Sequence, residues 1–224
     1  MKKVSEKTKA AEHRGEGVLG DYKPWIKTRE IMRGTGTRCN VIDPITGKTV
    51  HLLSINEMYA YFLLRWDDSV IDIREQFPLD IDATNEIADR LGFARVAKGK
   101  IRLTTDLLVT YTCDGEDRFT AYSIKNDPES LDKRDKEKLI IEKQYWIEKG
   151  VPFFMVYGDE LDAIKANNLR VLYPYYNENS LRPGNEDDLI RHLIITKKIK
   201  VDLSVPLDSK IRQLPEVKGW LKQM

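Results

Sequence analysis

Three stretches of this chain carry residues that could act together on a phosphodiester: Glu57, Asp106 within Thr104-Thr105-Asp106-Leu107-Leu108-Val109, and the triplet Ser123-Ile124-Lys125. Hydrolysing such a bond near neutral pH needs neutralised phosphate charge and an activated water in line with the leaving oxygen. Carboxylates and a backbone carbonyl at a sheet edge can hold one or two Mg²⁺ ions for this purpose, with a lysine beside the nucleophile. The trace of that arrangement is a carboxylate on a helix, an Asp in one strand of a hairpin, and a polar-x-Lys triplet in the partner strand. This chain has all three parts. Ser123 and Lys125, two apart on a strand, project to the same face. A charged Asp within an otherwise apolar strand is costly unless it is exposed, paired or metal-bound. Plainer readings stand beside this one: Glu57 completes a Ser54-x-x-Glu57 capping box, Asp106 suits an edge strand, and Lys125 suits a solvent-facing strand position.

The rest of the inventory narrows the alternatives. The histidines are His13, His51 and His192, none at the spacing of a helical ligand pair, and Cys39 and Cys113 form no CxxC motif. Zinc is therefore disfavoured, and both thiols read as reduced and structural. Gly47-Lys48-Thr49 ends like a phosphate-binding loop, but Ile42 stands where that motif requires glycine. The composition of 224 residues, 41% hydrophobic and 33% charged, describes an ordinary globule of one or two domains. No apolar run approaches the roughly 20 residues that span a bilayer, and the N-terminus lacks a signal peptide's apolar stretch, which points to a cytoplasmic protein. The net charge of +1 announces no polyanion partner, although residues 1–50 are locally basic.

The elements that must position these side chains can be read from periodicity. Residues 1–20 are polar and glycine-bearing and read as a flexible N-terminal arm. Two strands flank the turn from Asp43 to Lys48, and Ser54 caps a helix that carries Met58, Tyr61, Phe62 and Trp66 at helical spacing. Val70 to Gln76 reads as a strand and Ala83 to Leu91 as a helix closed by Gly92. Arg102–Tyr111 and Phe119–Lys125 form a hairpin around turn residues 113–117. Pro128 suits the first position of a long helix ending at Gly150. Glu142 on that helix could add a third carboxylate, but the helix carries balanced acids and bases, so a solvated charge is the favoured reading. The apolar run Val151–Tyr157 reads as a strand buried on both faces. Residues 158–168 read as helical, Arg170–Tyr175 as extended and 177–184 as a linker, with an amphipathic helix and two short helical patterns beyond. This order predicts an α/β fold, a mixed central sheet flanked by helices with a small helical C-terminal segment. The domain organisation is 1–20 as the arm, 21–176 as the catalytic domain and 177–224 as the helical segment.

Several strings also resemble one family: Gly20-Asp21-Tyr22-Lys23-Pro24-Trp25, His51-Leu52-Leu53-Ser54 running into Glu57, Ser69-Val70-Ile71-Asp72-Ile73-Arg74-Glu75-Gln76-Phe77-Pro78-Leu79, and Thr105-Asp106-Leu107-Leu108-Val109. Together they resemble the TnsA family, the endonuclease subunits of heteromeric cut-and-paste transposases, with matches in order from about Gly20 to Tyr157. The resemblance implies a restriction-endonuclease-like fold of the PD-(D/E)xK superfamily. It implies Mg²⁺, with Mn²⁺ as a substitute, and cleavage of the non-transferred strands at the 5′ ends of the element. It further implies double-stranded transposon-end DNA, a TnsB-like DDE transposase and a TnsC-like AAA+ ATPase as partners, without membrane association and with the nucleoid as the place of action. The positions carried over are Glu57 and Asp106 as metal ligands, the Ile124 main-chain carbonyl as another, and Lys125 near the attacking water. Ser123 departs from the family's Gln and from the Asp or Glu usual in restriction enzymes, so its side chain is a short, neutral ligand at best. Arg95, Lys98, Lys100 and Arg102 crowd a loop before the Asp106 strand, and with Arg38, Arg14, Lys23 and Arg33 they read as DNA-backbone contacts. A non-enzymatic adaptor linking transposase and ATPase at the element's ends is the competing expectation. The C-terminal segment is shorter than the family's winged-helix-like domain.

Overall fold

The computed structural model describes residues 4–31, 37–207 and 211–221. It forms two compact units, Met1–Leu161 and Asp162–Met224. The first unit runs α1 (Glu6–Ala11), β1 (Cys39–Ile42), β2 (Thr49–Leu52), α2 (Ile55–Arg65), β3 (Val70–Pro78), α3 (Ile81–Arg90), β4 (Thr104–Cys113), β5 (Glu116–Lys125), α4 (Lys133–Glu148) and β6 (Phe153–Tyr157). The second contains α5 (Ala163–Leu172), α6 (Glu186–Ile195) and α7 (Pro215–Leu221). The main sheet has the order β3-β4-β5-β6, with two antiparallel pairings and a parallel one between β5 and β6. This is the mixed sheet flanked by helices that the sequence predicts. Among the described residues no helix is long and apolar enough to cross a membrane.

The β4–β5 hairpin is closed by only two residues. Asp114 and Gly115 take φ values of 53° and 79°, the left-handed pair that matches strand twist in a tight hairpin. The strands therefore extend further than the sequence suggests, from Cys113↔Glu116 at the turn to Leu107↔Tyr122. The core of this unit joins Leu79, Ile87 and Ala88 to Leu108 and Ala121 of the hairpin and to Ile141, Tyr145 and Trp146 of α4. Burying such side chains contributes roughly 1.5–3 kcal/mol each, and this packing fixes α4 against the sheet.

The segment read as an arm carries α1, capped by Ser5, and its side chains are tied to the body of the unit. Arg14 is buried and pairs with Glu30 at 2.7 Å and Glu12 at 2.8 Å while donating to the Trp25 carbonyl. The Arg102 N–H donates to Glu6. At Gly15, with φ +81°, a β-carbon would lie 2.2 Å from the Pro78 ring, so only glycine lets the chain pass there.

Three local expectations are corrected, and the rejection of a phosphate-binding loop at Lys48 is explained. Helix α4 starts at Lys133, because Asp132 caps it by accepting the Asp135 N–H, and Pro128 lies outside it. Among the described residues strand β6 is paired only with β5, and Phe154 is 52% and Met155 39% exposed, so the apolar run is a sheet edge and not a strand buried on both faces. Residues 170–175 are helical: Asp162 caps α5 and its buried Ala166, Leu169 and Leu172 follow helical spacing, which overrides the β-forming character of Val171 and Tyr173. Lys48, in the motif that imitates a phosphate-binding loop, is buried. Its ammonium stands 3.3 Å from Glu75, donates to the Ile73 carbonyl and lies over the Tyr22 ring. That lysine is part of the core and cannot face a nucleotide.

Candidate metal and nuclease site

The site is built where the β4–β5 ladder ends. Register pairing stops at Leu107↔Tyr122, and beyond it the Asp106 carboxylate accepts the Ile124 N–H at 2.7 Å. The Lys125 ammonium reaches the same carboxylate at 2.9 Å and the Ile124 carbonyl at 3.0 Å. An aspartate in the strand is thus satisfied by the facing strand, which lowers the cost of placing its charge there.

Glu57 arrives from the first turn of α2. Ser54 caps that helix by accepting the Glu57 N–H, and the Glu57 carboxylate in turn accepts from the Ser54 hydroxyl at 3.1 Å and the Leu53 N–H at 2.9 Å. The cap half of the expected capping box is formed, but the Glu57 carboxylate turns to the Leu53 N–H in place of the Ser54 N–H. Burial, reinforced by the charge of Asp106, pushes the Glu57 carboxyl up to about 8. For Lys125, burial disfavours the charged form, but Asp106, Glu142 and Glu57 outweigh it and raise the ammonium above its ordinary value.

Two members of the site are not apparent from sequence. Glu142 is buried instead of solvated, accepts from the Thr105 hydroxyl at 2.8 Å, and is pushed up to about 8 by burial and then by Asp106. The Trp146 indole donates to the same Thr105 oxygen at 2.7 Å, so core packing orients the carboxyl. The available signal was periodicity: Leu139, Glu142 and Trp146, at i, i+3 and i+7, lie on one buried stripe. Gln76 is the second. Its amide donates to Glu57 at 3.2 Å and, at a long 3.5 Å, to Asp106, while its carbonyl accepts from Thr104. Its φ of +48° is left-handed, which costs an L-residue of this kind about 1–2 kcal/mol, and its main-chain oxygen accepts from Trp25. The signal for Gln76 lies in strand register: Glu75 pairs with Leu107 and Phe77 with Thr105, leaving Gln76 opposite Asp106.

Glu57, Asp106, the Ile124 carbonyl and Lys125 are thus brought together. Ser123 is buried, with its hydroxyl 3.5 Å from Asp106 and in hydrogen-bonding contact with Glu142. Among the described residues no three His, Cys, Asp or Glu side chains converge tightly enough to hold a metal ion by themselves. The donor set of two carboxylates and a carbonyl, completed by water, nonetheless suits a hard ion such as Mg²⁺, which keeps several of its waters. The charge of Asp106 adds to burial in raising Glu57, and Lys125 offsets it in part.

The basic residues divide. Arg95 pairs with Asp89, Arg102 donates to the Leu79 carbonyl and lies over the Trp25 ring, and Arg38 donates to the Thr28 and Ile31 carbonyls. Arg14 is buried in its own ion pairs, Lys23 donates to the Glu12 carbonyl, and Arg33 lies outside the described residues. Lys98 and Lys100 are exposed on a loop in which Ala97, Lys98 and Gly99 are all left-handed.

Comparison with known proteins agrees with this geometry. Residues 67–158 match the model of the TnsA-like endonuclease N-terminal domain, a span that holds Gln76, Asp106, Ser123, Lys125 and Glu142 but not Glu57. The transposon Tn7 transposition protein TnsA of Escherichia coli is 35% identical over 169 residues, covering 75% of this chain and 61% of that protein. The chain thus spans about three fifths of the length of that relative. The hairpin with Asp106 and Lys125, and Glu142 on α4, lie inside the matched span, and over these residues the chain is similar to the TnsA-like endonucleases.

Proposed function

We propose that this chain is the Mg²⁺-dependent DNA endonuclease subunit of a heteromeric transposase, hydrolysing the non-transferred strands at the 5′ ends of a transposon. The observation that carries the reading is the meeting of Glu57, Asp106 and Lys125 at the open end of the β4–β5 hairpin. Glu57 and Asp106 would hold the ion with the Ile124 carbonyl, and Mn²⁺ would substitute. When bound, the ion neutralises phosphate charge and makes a water more acidic. Ser123 serves Asp106 and Glu142, and it is not required as a ligand.

Lys125 gives two of its three N–H groups to Asp106 and the Ile124 carbonyl, which leaves one for the attacking water or a phosphate oxygen. Glu142, kept protonated near neutral pH, limits the negative charge around Asp106. Lys98 and Lys100 supply backbone contacts to double-stranded DNA without reading bases. A TnsB-like DDE transposase that breaks and joins the other strands and a TnsC-like AAA+ regulator complete the assembly.

A strand-specific nicking assay on transposon-end DNA, with the partner transposase present and Mg²⁺ omitted or restored, tests this reading. Wild-type chain should release the 5′-end nick only with Mg²⁺, and Asp106→Ala should release none. Full cleavage by Asp106→Ala, in a system where deleting the chain stops transposition, would make the protein an adaptor instead.

A further inference from the structure

We infer that Gln76 is a positioning residue for the metal site, its side-chain amide holding the Glu57 and Asp106 carboxylates at a separation that one divalent ion can span. The inference rests on the reading of those carboxylates as metal ligands. They come from unrelated elements, a helix and a strand, and no covalent neighbourhood sets their distance. Gln76 spans them. Its nitrogen lies 3.2 Å from Glu57 Oε2 and 3.5 Å from Asp106 Oδ1, and its oxygen takes the Thr104 hydroxyl, which fixes which end of the amide faces the acids. In the ionised form that would hold a cation both carboxylates only accept, so an amide nitrogen there is the productive orientation.

Three further observations point the same way. Gln76 is 2% exposed, so no water competes for its donors. The β3–β4 register sets it opposite Asp106, yet its φ of +48° departs from strand geometry and turns the residue toward Glu57 as well. Backbone strain of this kind persists where surrounding structure enforces it, here through the Trp25 N–H on the Gln76 carbonyl. A neutral donor is also the suitable choice. A lysine or arginine at this position would cancel the charge that attracts the ion, whereas an amide orients both carboxylates and leaves their charge in place. Residues that orient ligands in this way typically govern metal affinity by 10- to 100-fold.

The test is calorimetric titration of Mn²⁺ into the full chain without DNA, comparing wild type, Gln76→Asn, Gln76→Leu and Asp106→Ala, with thermal melts on each. Asparagine tolerates a left-handed φ and keeps the amide but is one methylene too short to reach both acids. Gln76→Asn and Gln76→Leu should bind Mn²⁺ about 10-fold or more weakly, measured at a temperature below the melting transition that each variant shows. In the nicking assay their Mg²⁺ dependence should shift to higher concentration, with much of the rate recovered at saturation. If either variant folds and binds Mn²⁺ as wild type does, the inference is overturned. On unmodified protein, the Gln76 side-chain amide resonances should move during a Mg²⁺ titration with the calorimetric midpoint, and resonances that stay still would also overturn it. Asp106→Ala separates the two layers of the argument. Undiminished Mn²⁺ binding by that variant removes the metal-site reading itself, whereas loss of binding there with normal binding by the Gln76 variants removes only the role of Gln76.

Discussion

Replacing Glu142 by Gln should make the metal-free protein more stable, and increasingly so as pH rises. In the folded chain burial pushes this carboxyl up to about 8, against an ordinary value of 4.5. Between those two values the unfolded chain has released its proton while the folded chain still holds it, so raising pH favours unfolding. The contribution is present in full below about 4.5 and is lost as pH climbs to about 8, the reverse of a salt-bridged carboxylate. Each pH unit inside the window costs wild type about 1.4 kcal/mol relative to a variant that cannot ionise there. From pH 5.5 to 7.5 the difference between the two proteins should therefore change by about 2–3 kcal/mol. Glutamine keeps an oxygen for the Thr105 hydroxyl and imitates the protonated acid, so few other contacts change. Taking the difference also cancels the remaining titrating groups. These include Glu57, also pushed up to about 8, Glu75, raised by burial against the pull of Lys48, and His51, whose value is lowered by burial and by Lys27 and so acts in the opposite direction. The assay is urea unfolding in chelator at pH 5.5, 6.5 and 7.5. Parallel stability profiles for the two proteins would show that Glu142 is not held protonated and that the account of its burial is wrong.

Three further outcomes are expected. Lys48→Ala should destabilise the fold by about 3–5 kcal/mol in urea unfolding, since it strands Glu75 as a buried charge, and a loss near zero would contradict that pairing. Trp146→Phe removes the donor to Thr105 and should cost about 1 kcal/mol by the same measurement, with an unchanged stability counting against the chain from Trp146 to Glu142. Replacing Lys98 and Lys100 together by alanine should weaken DNA binding on any sequence. It should also reduce the slope of log affinity against log salt by about 0.9 for each phosphate that is no longer neutralised, as fluorescence anisotropy across a salt series would show.

How far these features could be read from residue order depends on whether the signal was local. The hairpin was legible, because alternating Thr, Val and Tyr around Asp114-Gly115 express strand and turn preferences within a few residues. The Ser54 cap was legible for the same reason, and with it the helix that carries Glu57. Glu142 was hidden by the charge balance of α4, where an even count of acids and bases says nothing about which face is buried. Gln76 was hidden because its role depends on a pairing with residues 30 positions away, and its left-handed backbone has no trace in residue type. Strand β6 was misjudged because an apolar run does not tell an edge from a centre; Phe154 stacks on Tyr122 at 5.7 Å while staying half exposed. The segment 170–175 favoured a strand by composition, and the buried face of α5 decided otherwise.

The two-residue turn at Asp114-Gly115 has a consequence for how this lineage can vary. Because the turn and the reactive end lie at opposite tips of the hairpin, added or deleted loop residues at 114–115 leave the pairing from Tyr111↔Arg118 down to Leu107↔Tyr122 intact. A single codon deleted inside either strand would instead rotate every later side chain to the other face, sending Asp106 or Lys125 away from its counterpart. Natural relatives should therefore accumulate length differences at the hairpin tip and almost none between it and the acids, a pattern of gaps that can be counted as sequences are gathered.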